Sequence, residues 1–161
     1  MIVSFTADAL IDIAIGIERR GIAFYDVMSK STDNVATRSA FHYLADMERE
    51  HIRIFQNMLD EADKYQLPET STEDYAGYLQ TLTDNAVFTD DMVTSEMATY
   101  ADNDIKALEL GISAEKDSIL FYYEMRDIMP KRASSAMNKI ISEEKTHLRQ
   151  ISELKKELAS L

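Results

Sequence analysis

Cysteine and tryptophan are absent from this 161-residue sequence, which also has only four glycines and two prolines. Without cysteine, the chain forms no disulfide framework, thiolate zinc site, cysteine-ligated iron–sulfur cluster or cysteine nucleophile. Few glycines and prolines disfavour an all-β chain, which needs turn residues at short intervals, and glycine-rich phosphate-binding motifs are missing. The sequence therefore favours a helical protein, and its length suits one domain over residues 1–161.

Basic charge is scarce and long apolar runs are missing. The formal net charge is −12, which disfavours nucleic acid as a partner because phosphate binding needs clustered Lys and Arg. The apolar stretch at residues 10–17 is short, is interrupted by Asp12 and follows an acidic start, unlike a signal peptide. No run approaches the roughly 20 apolar residues of a membrane span. These features predict a cytoplasmic protein without a membrane partner.

Four long segments show helical periodicity, at about residues 6–30, 35–65, 102–129 and 131–161, with Asp102 as the expected N-cap of the third. Short connections join the first two and the last two segments, so each pair is predicted to be antiparallel. Roughly 35–40 residues separate the pairs, more than an extended chain needs to return along a helix. We expect short helices there, near residues 75–82 and 90–98. One long crossover in an all-α four-helix bundle is the ferritin-like connectivity.

Each segment has an apolar stripe at alternating spacings of three and four residues, and a glutamate interrupts every stripe near its middle. In the second and fourth segments the interruption is Glu-x-x-His, and in the first and third it is a single Glu. The interrupting residues are Glu18, Glu48, His51, Glu115, Glu144 and His147.

Carboxylates on core-facing stripes are costly, because an unpartnered buried charge costs several kcal/mol and four together repel one another. No Lys or Arg lies on these stripes to pair with them. Divalent or trivalent cations resolve the conflict, since they neutralise carboxylates and accept imidazole nitrogens. Four Glu and two His match the ligand set of a dinuclear site in a bundle core, and a spacing of three places Glu and His on one helical face.

The chain also contains an internal repeat. Residues 15–25 align with residues 112–122, and residues 47–53 align with residues 143–149. A lone Glu-x-x-His is a weak signal, but two of only three histidines repeat it at matching positions of two similar hairpins. The third, His42, lies off the stripe, which favours a surface position or an indirect role beside the site.

These motifs resemble the ferritin-like superfamily of di-iron carboxylate proteins, and most closely its rubrerythrin branch, over the four helices. The resemblance implies two iron ions, with manganese or zinc as alternatives. By this resemblance, Glu48 and Glu144 would bridge the two metals, and Glu18 and Glu115 would be terminal ligands. His51 and His147 would bind one metal each.

The chain departs from rubrerythrins in two respects. It lacks the cysteines of a rubredoxin domain, so the resemblance implies an external electron donor, such as a rubredoxin-type protein. It also has Ser118 where rubrerythrins have an additional glutamate one turn after the third-helix ligand, which weakens the peroxidase assignment. Tyr25 and Tyr122 lie two turns after Glu18 and Glu115. One interpretation is that each hydroxyl hydrogen-bonds a ligating carboxylate or relays electrons. The other is that each residue is an ordinary core tyrosine, and we favour this second interpretation for Tyr122.

The leading interpretation is a di-iron oxidoreductase of the peroxidase or ferroxidase type that reacts with hydrogen peroxide or oxygen. An oxidative-stress role and a homodimer are expected with it. Two alternatives stay open at this point. One is iron binding or storage without turnover, and the other is a structural bundle whose site is vestigial or filled by zinc.

Overall fold

A computed structural model describes residues 6–62, 67, 73–88 and 103–161, and these residues form helices and connecting turns without a strand. The all-α prediction is therefore confirmed. The α-helices are α1 (Ala7–Ser31), α2 (Val35–Asp60), α3 (Glu73–Asp84), α4 (Asp104–Ile128) and α5 (Ser134–Ala159), and a 3-10 turn at Lys131–Ala133 precedes α5.

Side-chain caps begin three of the long helices. The side chains of Thr6, Asn34 and Asn103 each accept a hydrogen bond from the backbone N–H three residues later, at 3.3, 2.9 and 2.8 Å. Each bond satisfies an N–H group that has no partner within the helix. The cap of α4 is therefore Asn103 and not Asp102, which was expected from the sequence and lies outside the described residues.

Helix α2 ends earlier than its periodicity predicts, at Asp60 instead of near residue 65. Its last turn has no basic residue, and Glu61 follows directly. The N–H of Glu61 bonds to the carbonyl oxygen of Met58 at 3.1 Å, three residues back, so the α-helical hydrogen-bond pattern gives way to a tighter turn here. Helix α3 lies where a short helix was expected at residues 75–82. The other expected short helix, at residues 90–98, lies outside the described residues.

The long helices form two hairpins, since α1 packs along α2 and α4 packs along α5. The hairpins meet through α1 against α4 and α2 against α5, and α3 packs on α4. Within the described ranges, no helix combines the length and apolarity that crossing a membrane would require.

Two apolar clusters fill the bundle, one toward each end. The Phe55 cluster includes Leu10, Ile11, Phe55, Phe121, Met125, Met137 and Ile140. The Phe41 cluster includes Phe24, Met28, Phe41, Leu44, Leu108 and Ile151. In every long helix, the interrupting Glu and His positions fall between the residues of these two clusters. The core is thus divided by one polar layer, and dry packing on both sides keeps bulk water away from it.

Candidate metal centre

The six stripe-interrupting residues lie in this polar layer, and each is less than 5% exposed. They form two groups that share Glu48 and Glu144, and in each group one ligand atom per residue lies within 4.8 Å of the others. We call the group with Glu18 and His51 the His51 half-site, and the group with Glu115 and His147 the His147 half-site. Two adjacent sites that share two carboxylates are suited to a pair of metal ions.

The imidazole of His51 points its Nδ1 atom at three carboxylates. The distances from Nδ1 are 3.0 Å to Glu144 Oε1, 3.5 Å to Glu48 Oε2 and 3.6 Å to Glu18 Oε2. These ligands come from α1, α2 and α5, so the His51 half-site exists only where the two hairpins meet.

The His147 half-site repeats this arrangement in the other half of the polar layer. Nδ1 of His147 lies 3.4 Å from Glu144 Oε2 and 3.9 Å from Glu115 Oε2. Glu144 therefore directs one carboxylate oxygen toward each histidine. This is the orientation that a carboxylate needs if it is to bridge two cations.

Within the described residues, the ligand atoms that face the centre of the layer have no hydrogen bond of normal geometry. They are Glu18 Oε2, His51 Nδ1, Glu115 Oε2, Glu144 Oε1, Glu144 Oε2 and His147 Nδ1. A buried polar atom without a partner costs roughly 1–3 kcal/mol, and a charged group costs more. Bound cations would satisfy all six atoms at once. The donor set also suits iron or manganese, because it is rich in carboxylate oxygens and contains few imidazoles.

Two buried tyrosines bind the outer oxygens of the terminal carboxylates. Tyr25 donates a hydrogen bond to Glu115 Oε1, and Tyr122 donates one to Glu18 Oε1. Each bond crosses from one hairpin to the other and leaves Oε2 of its glutamate facing the centre. Burial, together with the nearby carboxylates, raises the pKa of both hydroxyls well above the usual value. Simple core packing, the interpretation that the sequence favours for Tyr122, is incomplete, because its hydroxyl contacts a carboxylate as that of Tyr25 does.

The charges in this layer shift one another's protonation equilibria. Burial raises the pKa of Glu115 and of Glu144, and neighbouring carboxylates add to both shifts. Burial lowers the pKa of His51, but interactions with Glu144 and Glu48 outweigh it and raise this pKa from 6.5 to about 11. Without a cation, the site therefore retains protons that a bound metal would have to displace.

One contact was not anticipated from the sequence. The outer nitrogen of His51, Nε2, lies 2.8 Å from Glu143 Oε2. The only sequence signal was the pair Glu143-Glu144, which appears in one copy of the repeat and not in the other.

The other histidine, His42, is exposed, in agreement with the surface alternative. Ser118 is buried and donates its hydroxyl to the carbonyl oxygen of Ala114 at 3.1 Å, so this position adds no carboxylate.

A pocket lies beside Glu48 and Glu115 of the candidate metal centre. It has an empty volume of about 540 Å³, part of it open to solvent, and Glu48, Glu115 and Ser118 lie in its wall. Gly21 also lines it, and a Cβ atom there would lie 3.7 Å from Glu48 Cγ. Much of the remaining lining is apolar, with Ile17, Leu82, Val87, Phe88 and Phe121. The pocket therefore borders the polar layer at Glu48 and Glu115.

The fold is a ferritin-like helical bundle, and its buried Glu and His residues could bind a metal pair. These two features define the class of di-iron carboxylate proteins. The comparison with protein families agrees, since the Rubrerythrin family model matches residues 9–155. The chain belongs to the Rubrerythrin family, a ferritin-like di-iron family. Neither a curated protein nor a solved structure gave a significant match.

Proposed function

We propose that this protein is a di-iron oxidoreductase that reduces hydrogen peroxide or oxygen, as a peroxidase or a ferroxidase. One observation carries the proposal: six buried ligand atoms face one another and, among the residues that the structure describes, have no hydrogen bond of normal geometry, in the donor set of a dimetal site. When bound, an iron pair would supply electrons to the oxidant and act as a Lewis acid. Manganese or zinc in place of iron is the alternative content of the site.

The protein's own residues would hold and orient the metals. Glu48 and Glu144 belong to both half-sites, so each would serve two ions. The terminal carboxylates of Glu18 and Glu115 would bind through Oε2, because their Oε1 atoms accept the tyrosine hydroxyls. These hydrogen bonds limit rotation of the carboxylates, and such outer contacts orient metal ligands and tune their affinity.

The pocket beside Glu48 and Glu115 supports the choice of substrate class. Hydrogen peroxide and oxygen are both small and uncharged. Oxygen is apolar and suits the largely apolar lining, whereas hydrogen peroxide is polar and would hydrogen-bond the carboxylates of Glu48 and Glu115 in the pocket wall. The apolar clusters on both sides of the layer would exclude bulk water from the reacting centre. Ser118 leaves the centre without the additional carboxylate of rubrerythrins, so turnover would use the six ligands alone.

Electrons would come from outside this chain, because its sequence has no cysteine for a thiolate-bound iron centre. A rubredoxin-type protein is the proposed donor in the peroxidase case, and incoming ferrous ions are the donor in the ferroxidase case. We further propose a cytoplasmic homodimer. Analytical ultracentrifugation tests the assembly, since a large hollow particle would favour iron storage instead.

An anaerobic ferrous titration of the metal-stripped protein tests the proposed function. We expect two iron ions per chain, followed by oxidation on separate addition of peroxide or oxygen, and the faster oxidant identifies the reaction. Glu144→Gln should abolish binding of the pair, whereas Glu50→Gln, a change at an exposed residue of α2, should leave it intact. Wild-type binding no greater than that of Glu144→Gln would refute the proposal, and zinc retained under these conditions would favour a structural site.

A further inference from the structure

The two half-sites differ in what lies behind each histidine. Nε2 of His51 lies 2.8 Å from Glu143 Oε2. Nε2 of His147 is buried and, within the described part of the chain, has no hydrogen-bond partner. Its ring stacks on that of His51 at 5.8 Å between centroids and lies almost perpendicular to that of Tyr43 at 6.0 Å. The ligand sets are therefore alike, and the surroundings of the two imidazoles are not.

The difference originates in the internal repeat. Residues 47–53 align with residues 143–149, so Glu48 matches Glu144 and His51 matches His147. The position of Glu143 is then matched by Met47. A thioether is a weak, uncharged hydrogen-bond acceptor, whereas a carboxylate is a strong one. The two halves thus carry the same ligands, but only one has an acidic residue immediately before its Glu-x-x-His motif.

A carboxylate behind an imidazole has a definite structural effect. It accepts the N–H of Nε2, which leaves Nδ1 as the metal-binding nitrogen and holds the ring at a fixed angle. In the His51 half-site, this fixed ring already points Nδ1 at all three carboxylates of that half-site. In the His147 half-site, no residue that the structure describes restrains the ring by a hydrogen bond, so binding a metal there must also fix the angle of the ring.

We propose that Glu143 is a positioning residue that makes the two metal positions inequivalent, so that the His51 half-site binds a divalent cation more tightly and fills first. This inference rests on the proposed dimetal function. Loss of an outer partner of this kind typically lowers metal affinity by about 10–100-fold. The expected ratio between the two binding steps is therefore of that order.

A Co²⁺ titration of the full, metal-stripped chain tests the inference by calorimetry and visible absorption. The wild type should bind two ions in two separable steps. Two variants assign the steps, since Glu18→Gln removes a ligand of the His51 half-site only and Glu115→Gln removes one of the His147 half-site only. Glu18→Gln should abolish the tight step, and Glu115→Gln should abolish the weak step.

Variants of Glu143 and of its counterpart Met47 then test whether Glu143 causes the difference between the two binding steps. Glu143→Ala should weaken the tight step by about 10–100-fold and shift its Co²⁺ absorption bands, while the weak step stays unchanged. Glu143→Gln should lose less, because its amide oxygen still accepts the Nε2 hydrogen. Met47→Glu should strengthen the weak step. Glu50→Gln is the matched control, since it removes one negative charge beside His51 from an exposed residue and should alter neither step.

The results separate the possible failures. Two equal steps in the wild type, or a Glu143→Ala variant that weakens both steps equally or neither, would overturn the inference and leave the dimetal function standing. No Co²⁺ or Fe²⁺ binding by the wild type would overturn both. A purely structural role of Glu143 would appear as a lower melting temperature of Glu143→Ala in chelator, with the ratio between the two affinities unchanged.

Discussion

Replacing Glu115 with glutamine should stabilise the metal-free protein and destabilise the metal-loaded protein relative to the wild type. Glu115 is buried, and its Oε2 has no hydrogen-bond partner in the described ranges of the chain. Its ligand oxygen lies within 4.8 Å of that of Glu144. A glutamine at this position keeps an oxygen that accepts the hydroxyl of Tyr25. It replaces a carboxylate oxygen with an N–H₂ group that can donate toward Glu144.

The difference in unfolding free energy between Glu115→Gln and the wild type has opposite signs in the metal-free and the metal-loaded protein. Relief of one buried, repelled carboxyl group should add about 1–2 kcal/mol to the unfolding free energy without metal. At a metal concentration about 1,000 times the dissociation constant of the His147 half-site, filling that position adds about 4 kcal/mol. The wild type should gain this amount in addition to the gain from the His51 half-site, whereas Glu115→Gln should keep only the gain from the His51 half-site. With metal, the wild type should therefore be more stable by about 2–3 kcal/mol.

Thermal unfolding followed by circular dichroism measures both differences. For a chain of this size, 1 kcal/mol corresponds to about 2–4 °C in melting temperature. In EDTA, Glu115→Gln should melt about 2–8 °C above the wild type. With anaerobic Fe²⁺ or with Co²⁺, it should melt about 4–12 °C below the wild type.

Two results would refute this reasoning. A variant that is no more stable than the wild type in EDTA would mean that the polar layer does not destabilise the metal-free bundle. Equal metal-induced shifts in both proteins would mean that Glu115 is not a ligand.

Three further predictions concern the same core. Because burial raises the pKa of Glu115 and Glu144, the folded metal-free protein holds protons more tightly, so its stability should fall as pH rises above 4.5. The unfolding free energy should fall by at most about 1.4 kcal/mol per pH unit for each group. In urea titrations at several pH values, the variant with glutamine at both positions should show a smaller fall. Tyr122→Phe removes a hydrogen bond to a buried carboxylate and should cost about 1–3 kcal/mol in urea unfolding; a loss below 0.5 kcal/mol would contradict it. Phe41→Ala should cost about 3–5 kcal/mol in the same assay, whereas Val35→Ala, at a position 71% exposed, should stay within about 0.5 kcal/mol.

Several features of the candidate site could be predicted from single helices. The spacing of apolar residues shows which face of a helix is buried, and a Glu or Glu-x-x-His on that face is visible without any partner helix. For this reason the sequence alone identifies all six residues of the polar layer. The internal repeat added the pairing of Glu18 with Glu115 and of His51 with His147.

Helix ends were predicted less well, because they depend on competition among neighbouring groups. Asn103 and Asp102 are both good N-cap residues, and periodicity does not choose between them. At the end of α2, the N–H of Glu61 bonds to Met58, three residues back, instead of continuing the α-helical pattern, and a search for apolar stripes does not detect such a change in backbone hydrogen bonding.

The periodicity and the repeat were enough to establish four amphipathic helices, two similar hairpins and a buried acidic layer suited to a metal pair. The contacts across that layer required the packed bundle. Tyr25 and Tyr122 each reach a glutamate of the opposite hairpin, and His51 on α2 reaches Glu143 on α5. Such contacts join residues about 90 or more positions apart in the chain, and helical spacing relates only residues three or four apart. The relative placement of the hairpins therefore determines which outer partner each ligand receives, and with it the difference between the two half-sites.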